Sequence, residues 1–202
     1  MKELEQIPRE AERSSGMWGF VWEVIQFVAL TIVIVVPIRV YVAQPYIVSG
    51  NSMYPTFESG DYLIVDQLSY RLNEPTYGDV VIFRYPQDPS KFFIKRIIGK
   101  PNDVIEFVNG ALTIVNTEHP DGIAFDDPYA NLLSRETKTV TLKEKEYYVL
   151  GDNRIASLDS RAWGPLPENL ITGRVLARLF PVSHIDLLPG KIQFFKMPSN
   201  SN

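Results

Sequence analysis

From Met17 to Ile38 the chain reads MWGFVWEVIQFVALTIVIVVPI, an apolar run whose single charge, Glu23, lies near its start. A helix rises about 1.5 Å per residue, so roughly 20 such residues cross a hydrocarbon core about 30 Å thick. Trp18 and Trp22 stand at one end, and Tyr41 and Tyr46 lie just beyond the other, as aromatic side chains do at membrane interfaces. The pattern predicts one transmembrane helix over 17–38, preceded by a tail, 1–16. A cleaved secretory signal fits less well. Its apolar stretch would run only about 7–15 residues, and Tyr41 is too large for a small-x-small site ending at Ala43. A buried core helix fits worse, the segment being apolar on nearly all faces.

Past Pro45 the pattern changes. No helical period outlasts a turn or two, and short apolar runs recur between turn signals. Strands are predicted at Tyr62–Val65, Asp79–Tyr85, Phe92–Gly99, Val104–Val108, Ala111–Val115, Thr137–Leu142, Glu146–Leu150 and Ile171–Phe180. Asn109-Gly110 between two of them signals a tight hairpin, since both turn residues need positive φ. Fifteen prolines and twelve glycines break the chain often, which suits an all-β domain of many short strands over about 44–196. Residues 116–135 are polar and turn-rich and read as a surface excursion, and 197–202 as a frayed end.

Charge and composition remove several function classes. Lys plus Arg number 20 against 24 Asp plus Glu, a net charge of −4. Such a chain is a poor candidate for binding nucleic acid by neutralising phosphates. There is no cysteine, hence no disulfide, thiolate metal site or Cys nucleophile. The only histidines are His119 and His184, too few for a His-rich metal site and a thin supply for a Ser-His-Asp triad. Around the apolar helix the tail carries Lys2, Arg9 and Arg13, while the other flank carries only Arg39. That asymmetry predicts a cytoplasmic N-terminus, with the bulk of the chain outside the cytoplasm.

Three segments carry chemistry. In SGNSMYPT, a small-residue turn presents Ser52 at a strand end near backbone N–H groups, a geometry suited to a nucleophile beside an oxyanion site. Taken alone, it reads more readily as a surface turn. In KFFIKRIIG, strand alternation puts Lys95 on one face with Phe93 and Ile97, and Arg96 on the other with Phe92, Ile94 and Ile98. Most strand lysines reach solvent. One packed among Phe and Ile loses solvation, its pKa falls from about 10.4 toward neutrality, and it becomes a usable general base. Arg96 cannot take that part, because a guanidinium does not deprotonate in proteins. The third segment, GDNRIASLDSRAWGP, reads as a tightly bonded loop in which Asp159 and Arg161 share a face and could pair.

In this order, SGNSMYPTF, GDVVIFRYP, FFIKRIIGKPND and GDNRIASLDSRAWGPLP resemble the boxes of bacterial type I signal peptidases, membrane-bound serine proteases of the Ser-Lys class. With the apolar helix, the resemblance spans about Trp18 to Pro181. It implies an antiparallel β-sheet catalytic domain behind one transmembrane helix. It places the nucleophile on Ser52, the general base on Lys95, the hydroxyl that orients the lysine on Ser157, and a structural ion pair on Asp159 and Arg161. The family's second oxyanion donor falls on Gly50, where some relatives have serine. With glycine there, a backbone N–H, a water or Ser49 must substitute. Asn102 stands where many relatives have glycine. Val48, Met53 and Ile94 are candidates to line shallow pockets for small residues. The implied partners are secreted preproteins with small-x-small cleavage sites, and a lipid bilayer that confines enzyme and substrate together. No metal or organic cofactor is implied.

Two other readings bear on the same residues. A self-cleaving repressor-type Ser-Lys protease looks similar around its serine and lysine, but carries a soluble DNA-binding module where this chain has an apolar helix. A non-enzymatic, membrane-anchored peptide-binding β-domain would not need Ser52, Lys95 and Ser157 at matching positions.

Overall fold

Helix α1 runs from Met17 to Pro37, and its described side chains are all exposed. It is the one described helix long and apolar enough to cross a membrane, with mean hydropathy 2.3 over Met17–Val36. This computed structural model describes residues 17–37, 43–108, 111–124, 129 and 137–190. The chain divides into two compact units, Met1–Val40 and Tyr41–Asn202. The predicted tail 1–16, the end of the apolar segment at Ile38, the turn Asn109-Gly110 and the end 197–202 lie outside the described residues.

The second unit is built from twelve described strands. They are β1 (Ala43–Ile47), β2 (Tyr62–Asp66), β3 (Val80–Tyr85), β4 (Asp88–Gly99), β5 (Val104–Val108), β6 (Ala111–Val115), β7 (Ile123–Ala124), β8 (Lys138–Thr141), β9 (Glu146–Leu150), β10 (Leu166–Pro167), β11 (Ile171–Phe180) and β12 (Asp186–Leu187). The larger sheet has the order β1-β2-β11-β3-β4-β9-β10, with β12 added to β11, and a four-stranded sheet has the order β7-β6-β5-β8. Every pairing is antiparallel. The architecture is therefore the mainly β, antiparallel one that the sequence leads one to expect.

Burial follows the strand period. In β3, Val80 and Ile82 pack with Met53, Phe57, Leu63 and Val65, while Val81 and Phe83 pack on the other face with Ile97, Tyr147 and Leu166. A run of four apolar residues is what a strand covered on both faces requires. A third cluster joins Ile98 and Tyr148 of the larger sheet to Ile105, Phe107 and Ile114 of the smaller one. The eight predicted strands are all present, β4 starting earlier than expected at Asp88. Strand β1 is additional; it contains Pro45, which an edge strand tolerates because one side of its backbone needs no partner. The 116–135 excursion is not wholly irregular, since β7 extends the smaller sheet beside β6.

Candidate active site

Ser52 sits in the turn between β1 and β2. The neck of this loop is closed by Val48 N–H donating to Asp61 O at 2.9 Å and Gly60 N–H donating to Val48 O at 2.9 Å. Within it, Phe57 N–H donates to Met53 O at 3.0 Å. Gly50 has φ +92, the left-handed region where a side chain is strained. A second loop, Gly151–Leu158, is stitched alongside. Asn153 N–H donates to Ser52 O at 3.0 Å, and its amide donates to Asn51 O at 3.1 Å.

Strand β4 brings Lys95 to this turn. Its Nζ donates to Ser52 Oγ at 2.7 Å and to Ile94 O at 2.8 Å, and lies 5.4 Å from the centre of the Phe93 ring. Lys95 is 3% exposed, and among the described residues it has no ion-pair partner. Burial pushes the amine pKa down to about 8, against the pull of the Asp159 and Asp152 charges, which favour the ammonium. The amine thus titrates near neutrality while touching the serine hydroxyl, which is the arrangement by which a lysine serves as a base.

Asp159 caps the one-turn helix α2 (Ser160–Trp163). Its carboxylate accepts from Arg161 Nε at 2.8 Å, Arg161 Nη2 at 2.9 Å and Gly151 N–H at 3.1 Å. Arg161 also donates to Arg154 O at 2.7 Å. The pair therefore braces the 151–158 loop at its start and at its middle. Ser157 is brought close to Ser52, without a hydrogen bond to Lys95. Its Oγ is buried and makes no hydrogen bond among the described residues. A Cβ on Gly151 would fall 2.2 Å from Ser157 Oγ and 2.4 Å from Ser52 O, so only glycine lets these two segments meet.

Residues 21–180 match the family model for signal peptidase, peptidase S26. The chain belongs to this family. A probable signal peptidase I-1 of Synechocystis is 34% identical over 173 residues, covering 82% of this chain and 86% of that protein. Signal peptidase I of Bacillus amyloliquefaciens is 32% identical over 190 residues, covering 88% and 94%. The solved structure of a signal peptidase I from Enterococcus faecalis covers 51% of this chain and 97% of that one, at 26% identity and a TM-score of 0.43. The chain is thus an enzyme, a serine endopeptidase of the signal peptidase I type.

A cleft of about 450 Å³ opens beside Ser52 and Lys95 of this signal peptidase. Val48, Ile82 and Ile94 contribute apolar wall, and Ser49 and Gly50 line it close to Ser52. Met53, expected beside Val48 and Ile94, is not part of that wall. It is 1% exposed and packs beneath the turn against Phe57, Leu63 and Val65. The direction of a side chain in a turn follows no period, so the sequence does not show that Met53 points inward. Asn102 adopts φ +69, in the left-handed region that favours glycine.

The sequence also hides the partner of Arg96. That residue is fully buried, its Nε donates to Asp152 Oδ1 at 2.7 Å, and its Nη2 pairs with Oδ2. An arginine in an apolar strand signals that a carboxylate must meet it. Nothing in the pattern says which one.

Proposed function

We propose that this peptidase removes N-terminal signal peptides from secreted preproteins through a Ser52–Lys95 dyad and an acyl-enzyme. The observation that carries the reading is the 2.7 Å contact between Ser52 Oγ and a buried amine that, among the described residues, pairs with no carboxylate. The neutral amine takes the Ser52 proton as Oγ attacks the scissile carbonyl. The C–N bond then breaks, the new ammonium returns the proton to the leaving amine, and an ester remains on Ser52. Lys95 next takes a proton from water, the resulting hydroxide attacks the ester, and Oγ leaves with the proton. Once Oγ is acylated, Lys95 loses that partner, and the role of orienting it falls to the buried Ser157 hydroxyl, which has no hydrogen-bond partner among the described residues.

The Ser52 N–H is the first donor for the developing oxyanion. Gly50 offers no side-chain donor, which leaves the second place to a main-chain N–H of the 49–51 turn, a water, or the Ser49 hydroxyl. The apolar wall of Val48, Ile82 and Ile94 suits small side chains of a small-x-small site. Residues 44–196 are read as the catalytic domain. The α1 segment anchors it to a bilayer, with the 1–16 tail cytoplasmic and the catalytic domain on the opposite side, because the basic residues gather on the tail. Confinement to one bilayer raises the encounter rate with membrane-inserted preproteins without tight binding.

The test is incubation of the detergent-solubilised full chain with a preprotein. Wild type releases the mature product, and Ser52→Ala and Lys95→Arg do not, although both remain folded. Arginine keeps the charge but cannot accept the proton. Near-normal turnover by either variant would overturn the dyad.

A further inference from the structure

Asp152 joins its own loop to two other segments of the fold, β4 and the turn that carries Ser52. Besides its two hydrogen bonds from Arg96, its Oδ2 accepts the Thr56 hydroxyl at 2.5 Å. A carboxylate only accepts, and a hydroxyl has one proton to give. The Thr56 proton is therefore committed to Asp152, and Tyr129 Oη, 2.9 Å from Thr56 Oγ1, is the donor in that contact. The hydrogen bonds run in one direction, from Tyr129 to Thr56 to Asp152, with Arg96 donating from the other side. Thr56 is fixed elsewhere too. Its carbonyl accepts from Arg178 Nη1 at 2.9 Å, and a Cβ on Gly190 would lie 2.5 Å from its methyl group.

Three members of this chain of bonds lie next to the dyad. Thr56 belongs to the turn that carries Ser52, and Arg96 follows Lys95 in β4. Asp152 precedes Asn153, whose N–H holds Ser52 O. The Thr56–Asp152 bond is thus a side-chain stitch between the same two loops that the backbone already joins at Ser52.

We propose that Thr56 is a positioning residue for hydrolysis, its hydroxyl, aimed by Tyr129, tying the nucleophile turn to the Asp152–Arg96 pair and so holding Ser52 Oγ against the Lys95 amine. The proposal rests on the Ser-Lys reading above. It gives the 116–135 excursion a part in the catalytic geometry through Tyr129. It also has an electrostatic consequence. The Asp152 charge favours the Lys95 ammonium, and the Thr56 proton partly offsets that charge. Without the hydroxyl, Lys95 keeps its proton to higher pH.

The experiment compares Thr56→Val, which keeps the shape and loses the hydroxyl, with Thr56→Ser, which keeps the hydroxyl, and with Tyr129→Phe. Cleavage of a preprotein by the full chain in detergent is followed against pH, and folding is checked by denaturant unfolding. Losing a hydrogen bond to a charged group while loosening the nucleophile should lower kcat about tenfold or more for Thr56→Val, with KM little changed. The acid limb of its profile should move to higher pH. Thr56→Ser should recover most of both, and Tyr129→Phe should shift the limb less, in the same direction. A wild-type profile for Thr56→Val, or a Thr56→Ser enzyme as impaired as Thr56→Val, overturns the proposal. If Thr56→Val is too unstable to assay, an unmoved acid limb in Tyr129→Phe overturns it. Should Ser52→Ala or Lys95→Arg retain turnover, the dyad itself falls. Should both be inactive while Thr56→Val behaves as wild type, only the positioning role falls.

Discussion

Lys95 and Arg96 are consecutive residues of one strand, both buried, and the fold answers their charges in opposite ways. Arg96 receives a two-pronged carboxylate from Asp152 and the carbonyl of Gly78 at 2.9 Å. Lys95 receives a hydroxyl and a carbonyl, with no paired carboxylate among the described residues. The difference follows from chemistry. A guanidinium keeps its proton at any physiological pH and must be paired when buried, whereas a buried amine can relieve its desolvation by losing a proton.

The pH dependence of cleavage follows from that relief. With the Lys95 pKa near 8, only a minor share of the enzyme carries the neutral amine at pH 7. Between about pH 6 and about pH 8, kcat/KM should rise roughly 50-fold, nearly tenfold over the first pH unit and less over the second, because only the free base can accept the serine proton. A profile measured with one preprotein checks this. A flat profile across that interval would contradict a titrating lysine base.

The same pKa sets a stability signature. Folding lowers the Lys95 pKa from 10.5 to about 8, so between those values the unfolded chain binds the proton that the folded chain has lost. Stability should therefore rise with pH from about 8 to about 10.5 and be lowest, on this account, below about 8. The shift corresponds to about 3 kcal/mol of destabilisation at pH values below both. Lys95→Met removes the group that must be desolvated and loses its two hydrogen bonds, which cost about 1 kcal/mol each. The variant should be inactive and at least as stable as wild type at pH 7, with wild type gaining about 3 kcal/mol relative to it on going to about pH 11. Denaturant unfolding of both chains at several pH values measures the gap, and a gap independent of pH would show an ordinary lysine.

How far the sequence carries depends on what each feature needs. Continuous or alternating apolar runs such as Val80–Phe83 and Ile171–Phe180 mark strands because burial on a sheet has a fixed period. Two-residue strands such as Leu166–Pro167 are too short to show any period, and Pro45 masks β1. Ser52 and Lys95 are legible as a pair because their surrounding motifs recur together in one order. The Arg96–Asp152 pair and the inward Met53 are not legible, because a partner 56 positions away and the direction of a turn side chain are both fixed only by tertiary packing.

Asp152 should be far more sensitive than Asp88, although both face a cation. Removing the Asp152 charge as Asp152→Asn leaves the fully buried Arg96 uncompensated, a loss on the order of 3–5 kcal/mol. The Lys91–Asp88 pair is 2.9 Å long but solvent-exposed, and Asp88→Asn should leave stability unchanged within measurement. Comparing unfolding midpoints of the two variants decides this. Equal effects would mean that burial does not govern the Arg96 pair.

Two glycines near Ser52 should separate steric from conformational need. At Gly50 a Cβ meets nothing within 4 Å, but φ is +92, so Gly50→Ala should cost about 1–2 kcal/mol of backbone strain and leave measurable cleavage. At Gly151 no positive φ is involved, and the obstacle is contact. The added Cβ would stand 2.4 Å from Ser52 O and 2.6 Å from Ser157 Cβ, so the loop and the nucleophile turn must move apart. A displacement near 1 Å at the nucleophile is enough to cost about 100-fold in rate. Gly151→Ala should therefore lose at least that much kcat even where unfolding shows a folded domain. Near-wild-type kcat in Gly151→Ala, alongside a severe loss in Gly50→Ala, would show that the backbone angle at 50 and not the close approach at 151 sets the position of Ser52.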